Sequence, residues 1–216
     1  MADPVRSSAL PRFILLYASI YAAFGVASPF LPAFVSARGL TPEELGLALG
    51  AGTAVRLAAA PLAGRIGDLI QSLRGVLVAC IALAALATLG YLPAHGFWIF
   101  LIVTLLHAAS LAPITVLADA LALGSSGPPD KGGGRRPGGF GFEYGWVRGT
   151  GSAAFIAGLL LSGQAVSAWG LDIIVPMQAL LLGAAAFAAI FVPELLRNHL
   201  ANPARARRSW HRRAAY

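Results

Sequence analysis

The strongest limit on what this chain can fold into is a set of six unbroken apolar runs, each about 20 residues long, the length a helix needs to cross the hydrocarbon of a bilayer. They cover roughly Phe13–Val35, Pro42–Ala63, Gly75–Leu92, Phe97–Leu123, Tyr144–Val166 and Leu171–Val192. In hydrocarbon every backbone N–H and C=O needs a partner inside the protein, which leaves helices or a closed barrel. Barrel strands alternate apolar and polar with a period of two, and these runs do not alternate. The composition agrees. Hydrophobic residues make up 57% and charged residues 12%, about half the charged share of a soluble domain, and the mean hydropathy is +0.73. The expected fold is all-α, with six transmembrane helices.

Local signals punctuate the runs. Pro29 and Pro32 fall in the second half of the first span and are expected to bend it. Thr41-Pro42-Glu43-Glu44 reads as a helix start: Thr41 as N-cap, Pro42 at the first helical position, and two glutamates at the positive end of the helix dipole. Gly46, Gly50 and Gly64 are expected to allow close helix packing. Glu143 is expected to be a helix-start carboxylate for the fifth span. Residues 124–141 are dense in Gly, Pro and Ser and are expected to form a flexible cytoplasmic loop. The layout is then an N-terminal segment 1–12, a membrane domain 13–193 containing that loop, and a basic tail 194–216.

Sixteen basic residues face nine acidic ones, a formal charge of +7. In a soluble chain that would suggest nucleic acid. Here most of the arginines lie in loops and tails beside apolar runs, where they set orientation, and no nucleic-acid partner is expected. With a cytoplasmic N-terminus, about thirteen basic residues fall inside and only Arg38 falls outside, which favours both termini in the cytoplasm. Lys131 is the only lysine. That bias, with abundant Ala, Gly and Pro, suggests a GC-rich bacterial source and hence a bacterial inner membrane. Cys80 is the only cysteine, so no intrachain disulfide can form.

Three stretches carry a family likeness. Pro61 through Asp68, with Gly64, Arg65, Gly67 and then Arg74, resembles the signature loop between the second and third helices of the major facilitator superfamily. Tyr144-Gly145 with Arg148, Gly151 and Ser152 is similar to the Tyr-Gly-x-x-Arg-x-x-Gly-Ser element of that superfamily's phenylpropionate-permease branch. The run from Pro113 to Asp119-Ala120-Leu121 resembles the same branch, and Arg56 fits it. The likeness covers Phe13 to about Pro193. Leu69 stands where the family loop usually has a basic residue. The family's members normally have twelve helices in two six-helix halves. The resemblance therefore implies one N-terminal half bundle, a half or truncated carrier. It also implies transport of a small organic solute, an aromatic acid among the candidates, by proton-coupled symport and alternating access.

Several residues at membrane depth or near it are candidates. Arg56 lies about 12 Å before Gly64 along its helix. A charge at such depth costs roughly 2.5–3.5 kcal/mol on insertion scales, so it is expected to face the interior and find a partner: an anionic solute or a carboxylate on the pathway, or else a structural ion pair. Tyr17, Tyr21 and Phe24 lie a turn apart; as a pathway wall Tyr17 and Tyr21 would line a cavity, and otherwise they are packing residues. Asp68, Arg74, Asp119 and Arg148 fall on one membrane side and are expected to meet in one charge cluster that biases a gate; Asp119 is also a candidate for a coupling proton. His107 is expected to be a packing residue. No nucleotide loop, metal-ligand spacing or nucleophile motif occurs, so no cofactor, no metal and no enzymatic activity are expected. The partners implied are the lipid bilayer, a small solute, H+ and a second six-helix half or an identical copy. The competing expectation is a non-transporting accessory or truncated membrane protein.

Overall fold

The computed structural model describes residues 9–126 and 142–194. Segments 1–8, 127–141 and 195–216, which include most of the expected loop and tail, lie outside the described residues. The described residues hold six α-helices in sequence: α1 (Ala9–Ala37), α2 (Pro42–Ile70), α3 (Leu73–Leu89), α4 (Gly96–Ser125), α5 (Tyr144–Trp169) and α6 (Ile174–Ile190), with a 3-10 turn at Leu171–Ile173 leading into α6. Five segments are long and apolar enough to cross a membrane, counting Leu171–Ile190 as one. The apolar α3 has 17 residues, about 26 Å at the α-helical rise, somewhat short of a full crossing.

The N-terminus of α2 follows its sequence. Thr41 caps it, with Glu44 N–H donating to Thr41 Oγ1 at 3.3 Å and Thr41 N–H donating to Glu44 Oε2 at 2.9 Å, and Pro42 opens the helix. Its C-terminus lies further on than expected. The stretch Pro61–Asp68, read as a loop, continues α2 as far as Ile70. Pro61 gives up one backbone hydrogen bond without ending the helix, and the true turn is Gln71-Ser72. Gln71 sits in the left-handed region at φ 57°, and Ser72 caps α3 by accepting from Gly75 N–H. Glu143 occupies the N-cap of α5, but its side chain makes no capping bond. The helix α1 is continuous through Pro29 and Pro32.

Two buried clusters mark the two ends of the bundle. One joins the start of α1 (Phe13, Leu16), the start of α3 (Leu77, Ile81), the end of α4 (Leu117, Leu121) and the end of α6 (Ala185, Ala189). The other joins the end of α1 (Phe34, Val35) with Leu40, Tyr91, Phe100 and the start of α6 (Ile174, Val175). Successive helices therefore run up and down, and α1 begins at the end where α6 finishes.

The packing has an internal symmetry. The helix α1 packs chiefly on α5 and α6, α4 packs chiefly on α2 and α3, and α3 packs on α6. Exchanging α1–α3 with α4–α6 leaves that pattern unchanged, the arrangement of two inverted three-helix repeats. The α1–α5 crossing is the tightest. A Cβ on Gly25 would meet the Phe155 carbonyl, and one on Gly158 would meet the Ala22 carbonyl, so only glycine lets the two backbones touch. The glycines expected to serve this purpose, Gly46, Gly50 and Gly64, have open space where a Cβ would stand. They lie on α2, the least buried span, of whose most apolar stretch only 11% is buried against 44% for α1.

Candidate functional site

Two polar features lie within the bundle, at different heights. The first is a cavity of about 100 Å³ among α1, α2 and α4. Leu31 and Val35 of α1, with Leu45 and Leu49 of α2, supply apolar wall. The polar edge is Thr53 and Arg56 of α2, Tyr91 after α3, and Thr104 and His107 of α4. Gly52 faces Thr104 and Ala108 of α4, with room for a Cβ at ordinary contact distance, and Arg56 stands one turn beyond Gly52 on the same face of its helix.

Arg56 is the midpoint of α2. It is deeper than the sequence reading placed it, because the helix runs on past Gly64. It makes no hydrogen bond or ion pair with any described residue, so the expected protein partner is not found there. Among the described residues no Asp or Glu lines the cavity. His107 is 3% exposed. Its Nε2 lies 3.3 Å from Nε2 of Gln178 on α6, and its ring meets Tyr91 edge-on at 5.5 Å between centroids. It packs, as expected, and it also faces the cavity beside Arg56.

The second feature centres on Asp119 near the end of α4. Its Oδ1 accepts from Tyr17 Oη at 2.5 Å and from Tyr144 Oη at 2.8 Å, so one carboxylate joins α1, α4 and α5. Tyr17 stacks on Tyr21 at 5.8 Å, Tyr21 meets Phe24 edge-on at 5.7 Å, and the Arg148 guanidinium lies 4.9 Å above the Tyr21 ring, a cation–π contact. Asp119 and Arg148 are thus linked through two aromatic rings and not by an ion pair. Tyr17 and Tyr21 belong to this network and do not line the Arg56 cavity.

Of the four residues expected to form one charge cluster, Arg74 has contacts separate from the Asp119 network. Arg74 binds the end of α6: its backbone N–H donates to Glu194 Oε1 at 3.2 Å, its Nη1 donates to the Val192 carbonyl at 3.3 Å, and Ser72 Oγ donates to Glu194 Oε2 at 3.0 Å. Asp68 is exposed in the last turn of α2. At the opposite end Arg38 joins three connections. It pairs with Asp172 at 3.0 Å, donates to the Leu92 carbonyl at 3.1 Å and lies over Phe34. The sequence reading missed Gln178, Glu194, Asp172 and the Tyr91–Thr104 pair. A glutamine inside an apolar run was a visible signal; the contacts of the others depend on how connections fold back.

Bundled apolar helices, with an arginine at the middle of one span and a half-buried carboxylate near the end of another, define an integral membrane protein that carries polar groups at membrane depth. The MFS_1 like family model matches residues 11–209, and the chain belongs to that family. It is 29% identical over 165 residues to a probable 3-phenylpropionic acid transporter of Escherichia coli (strain K12), covering 76% of this chain and 40% of that protein. It is 33% identical over 112 residues to a maltose permease of Geobacillus stearothermophilus, covering 51% of this chain and 28% of the permease. The chain therefore spans less than half the length of either of these curated relatives.

Proposed function

We propose that this bundle is one moving half of a membrane carrier for a small organic anion. The observation that carries the reading is Arg56: a guanidinium at the centre of the second helix, facing a cavity, with no carboxylate among the described residues of the cavity wall to neutralise it. Such a charge is costly at membrane depth and marks a ligand pathway by default. An anionic solute supplies a counter-charge where the described cavity wall has none. Family membership and the acid named for the Escherichia coli relative support the same chemistry.

All six helices cross the membrane in this reading, α3 at the cost of local thinning or snorkelling. Both termini are cytoplasmic in a bacterial inner membrane, as the basic residues favour. Alternating access has one six-helix bundle rock against another around a central site, so the working carrier pairs this bundle with a second, identical or different. The sparsely covered α2 is the natural face for that pairing. Asp68, Arg74, Asp119 and Arg148 work at the cytoplasmic end as gate elements, with Asp119 tying α4 to α1 and α5 and releasing them when the bundle moves. Coupling is to protons.

The test is uptake of labelled 3-phenylpropionate by proteoliposomes under an imposed inward proton gradient. Wild-type protein accumulates the acid, a protonophore abolishes accumulation, and Arg56→Ala lowers the rate at least about tenfold, the loss of one charge-assisted contact. Uptake that is indifferent to Arg56→Ala contradicts the reading.

A further inference from the structure

The cavity wall contains a donor that the bundle leaves unused. Thr53, Thr88 and Thr150 each spend their hydroxyl hydrogen on the carbonyl one helical turn back, at 2.9, 2.8 and 2.8 Å. Thr104 does not. Its Oγ1 accepts from Tyr91 Oη at 3.2 Å, and its own hydrogen has no acceptor among the described residues. Whichever way the shared hydrogen points, the pair of hydroxyls keeps one O–H to give. Tyr91 is held in place: it is 1% exposed and makes ring contacts with Phe34, Phe100 and His107.

The cavity's chemistry is lopsided. Arg56 offers up to five N–H donors and no acceptor, the hydroxyl pair offers one more donor, and among the described residues no carboxylate lines the wall. The rest of the lining is largely apolar, with Leu31, Pro32, Val35 and Leu45. A ligand that satisfies both sides carries a compact, acceptor-only anionic head and an apolar body. A sugar has hydroxyl donors over its whole surface and would leave them facing leucine and proline, an unpaired burial that a site rejects strongly.

We propose that Arg56 and the Tyr91–Thr104 hydroxyl pair form a two-point site for one carboxylate group, and that the cavity takes a small monocarboxylate with an apolar body and refuses a sugar. Thr104 touches the ligand; Tyr91 is a positioning residue that orients the Thr104 hydroxyl. This inference rests on the reading of the Arg56 cavity as the solute site and adds the second contact and the ligand class.

The experiment is equilibrium binding of radiolabelled 3-phenylpropionate and benzoate to the purified chain in detergent, with 3-phenylpropionamide and maltose as competitors. The acids bind, and neither the amide nor maltose displaces them. Arg56→Gln abolishes measurable binding. Thr104→Val weakens binding roughly 10- to 100-fold, the effect of removing a hydrogen bond to a charged group, while Thr104→Ser retains it. Tyr91→Phe weakens binding less than Thr104→Val does, and all variants keep the wild-type elution profile. If Arg56→Gln abolishes binding but Thr104→Val leaves it unchanged, the two-point contact is wrong and the Arg56 site stands. If Arg56→Gln binds as wild type does, both are wrong. Displacement by maltose, or no binding of either acid by the wild type, overturns the ligand class.

Discussion

At the scale of the residue, charged pairs tie the connections together at the ends of the bundle, while Asp119, Arg148 and His107 find aromatic or neutral partners. Asp119 holds two phenols on one oxygen, and each bond joins a different helix to α4. Replacing Tyr17 by Phe leaves the carboxylate with Tyr144 alone and takes a hydroxyl out of a buried position. The expected cost is about 1.5–3 kcal/mol, the range for a hydrogen bond to a charged group, read as a lower unfolding midpoint in detergent. Tyr144→Phe, at a less buried site, costs less. Equal, negligible effects of both would mean that the Asp119 network does not hold these helices together. Asp119, Arg148, Tyr17 and Tyr21 could all be picked out of the sequence, because polar residues are conspicuous in apolar runs. Their pairing could not, since charge alone suggests an Asp119–Arg148 contact and nothing local announces that two tyrosine rings lie between them. Arg56 was legible for the same reason. Its lack of a hydrogen-bond or ion-pair partner among the described residues was not, because that depends on which side chains face it from α4 and from the turn after α3.

At the scale of the element, starts were easier to read than ends. Thr41-Pro42-Glu43-Glu44 carries a capping box whose chemistry lies within four residues, and α2 begins there. Its far end was hidden, because Pro61 and Gly64 look like breakers, yet the helix passes through both to a left-handed Gln71. Glycines misled in a related way. Their number on α2 suggested close packing there, whereas the backbones meet at Gly25 and Gly158, where α1 crosses α5. A paired substitution separates the two cases. Gly158→Ala drives a Cβ into the Ala22 carbonyl, forces the helices apart and should destabilise by about 1–3 kcal/mol or more. Gly64→Ala, with open space around it, should be neutral or stabilise by up to about 1 kcal/mol through helix propensity. Thermal unfolding of the two variants in one detergent checks both, and a Gly158→Ala protein as stable as wild type would refute the backbone-to-backbone crossing.

At the scale of the whole molecule, the up-and-down bundle, its inverted three-helix repeats and its family form one account. The helix count and the membrane solvent were legible from run length and composition alone. The swap of packing partners, with α1 against α5 and α6 and α4 against α2 and α3, was not, because six apolar helices carry little sequence signal about which neighbour each one chooses. In that arrangement the Arg56 cavity lies between α2 and α4, with α1 as its third wall. The central claim is that this cavity is a solute's route through the membrane. Site-directed thiol labelling tests it most directly. In a Cys80→Ala background, a cysteine at Thr53 on the cavity wall and one at the exposed Leu57 of the same helix are treated in intact cells with a membrane-impermeant maleimide. The account predicts that the cysteine at 53 reacts and is protected by 3-phenylpropionate, while the cysteine at 57, facing lipid or a partner bundle, does not react. A cysteine at 53 that never reacts, or reacts equally with and without the acid, would contradict it.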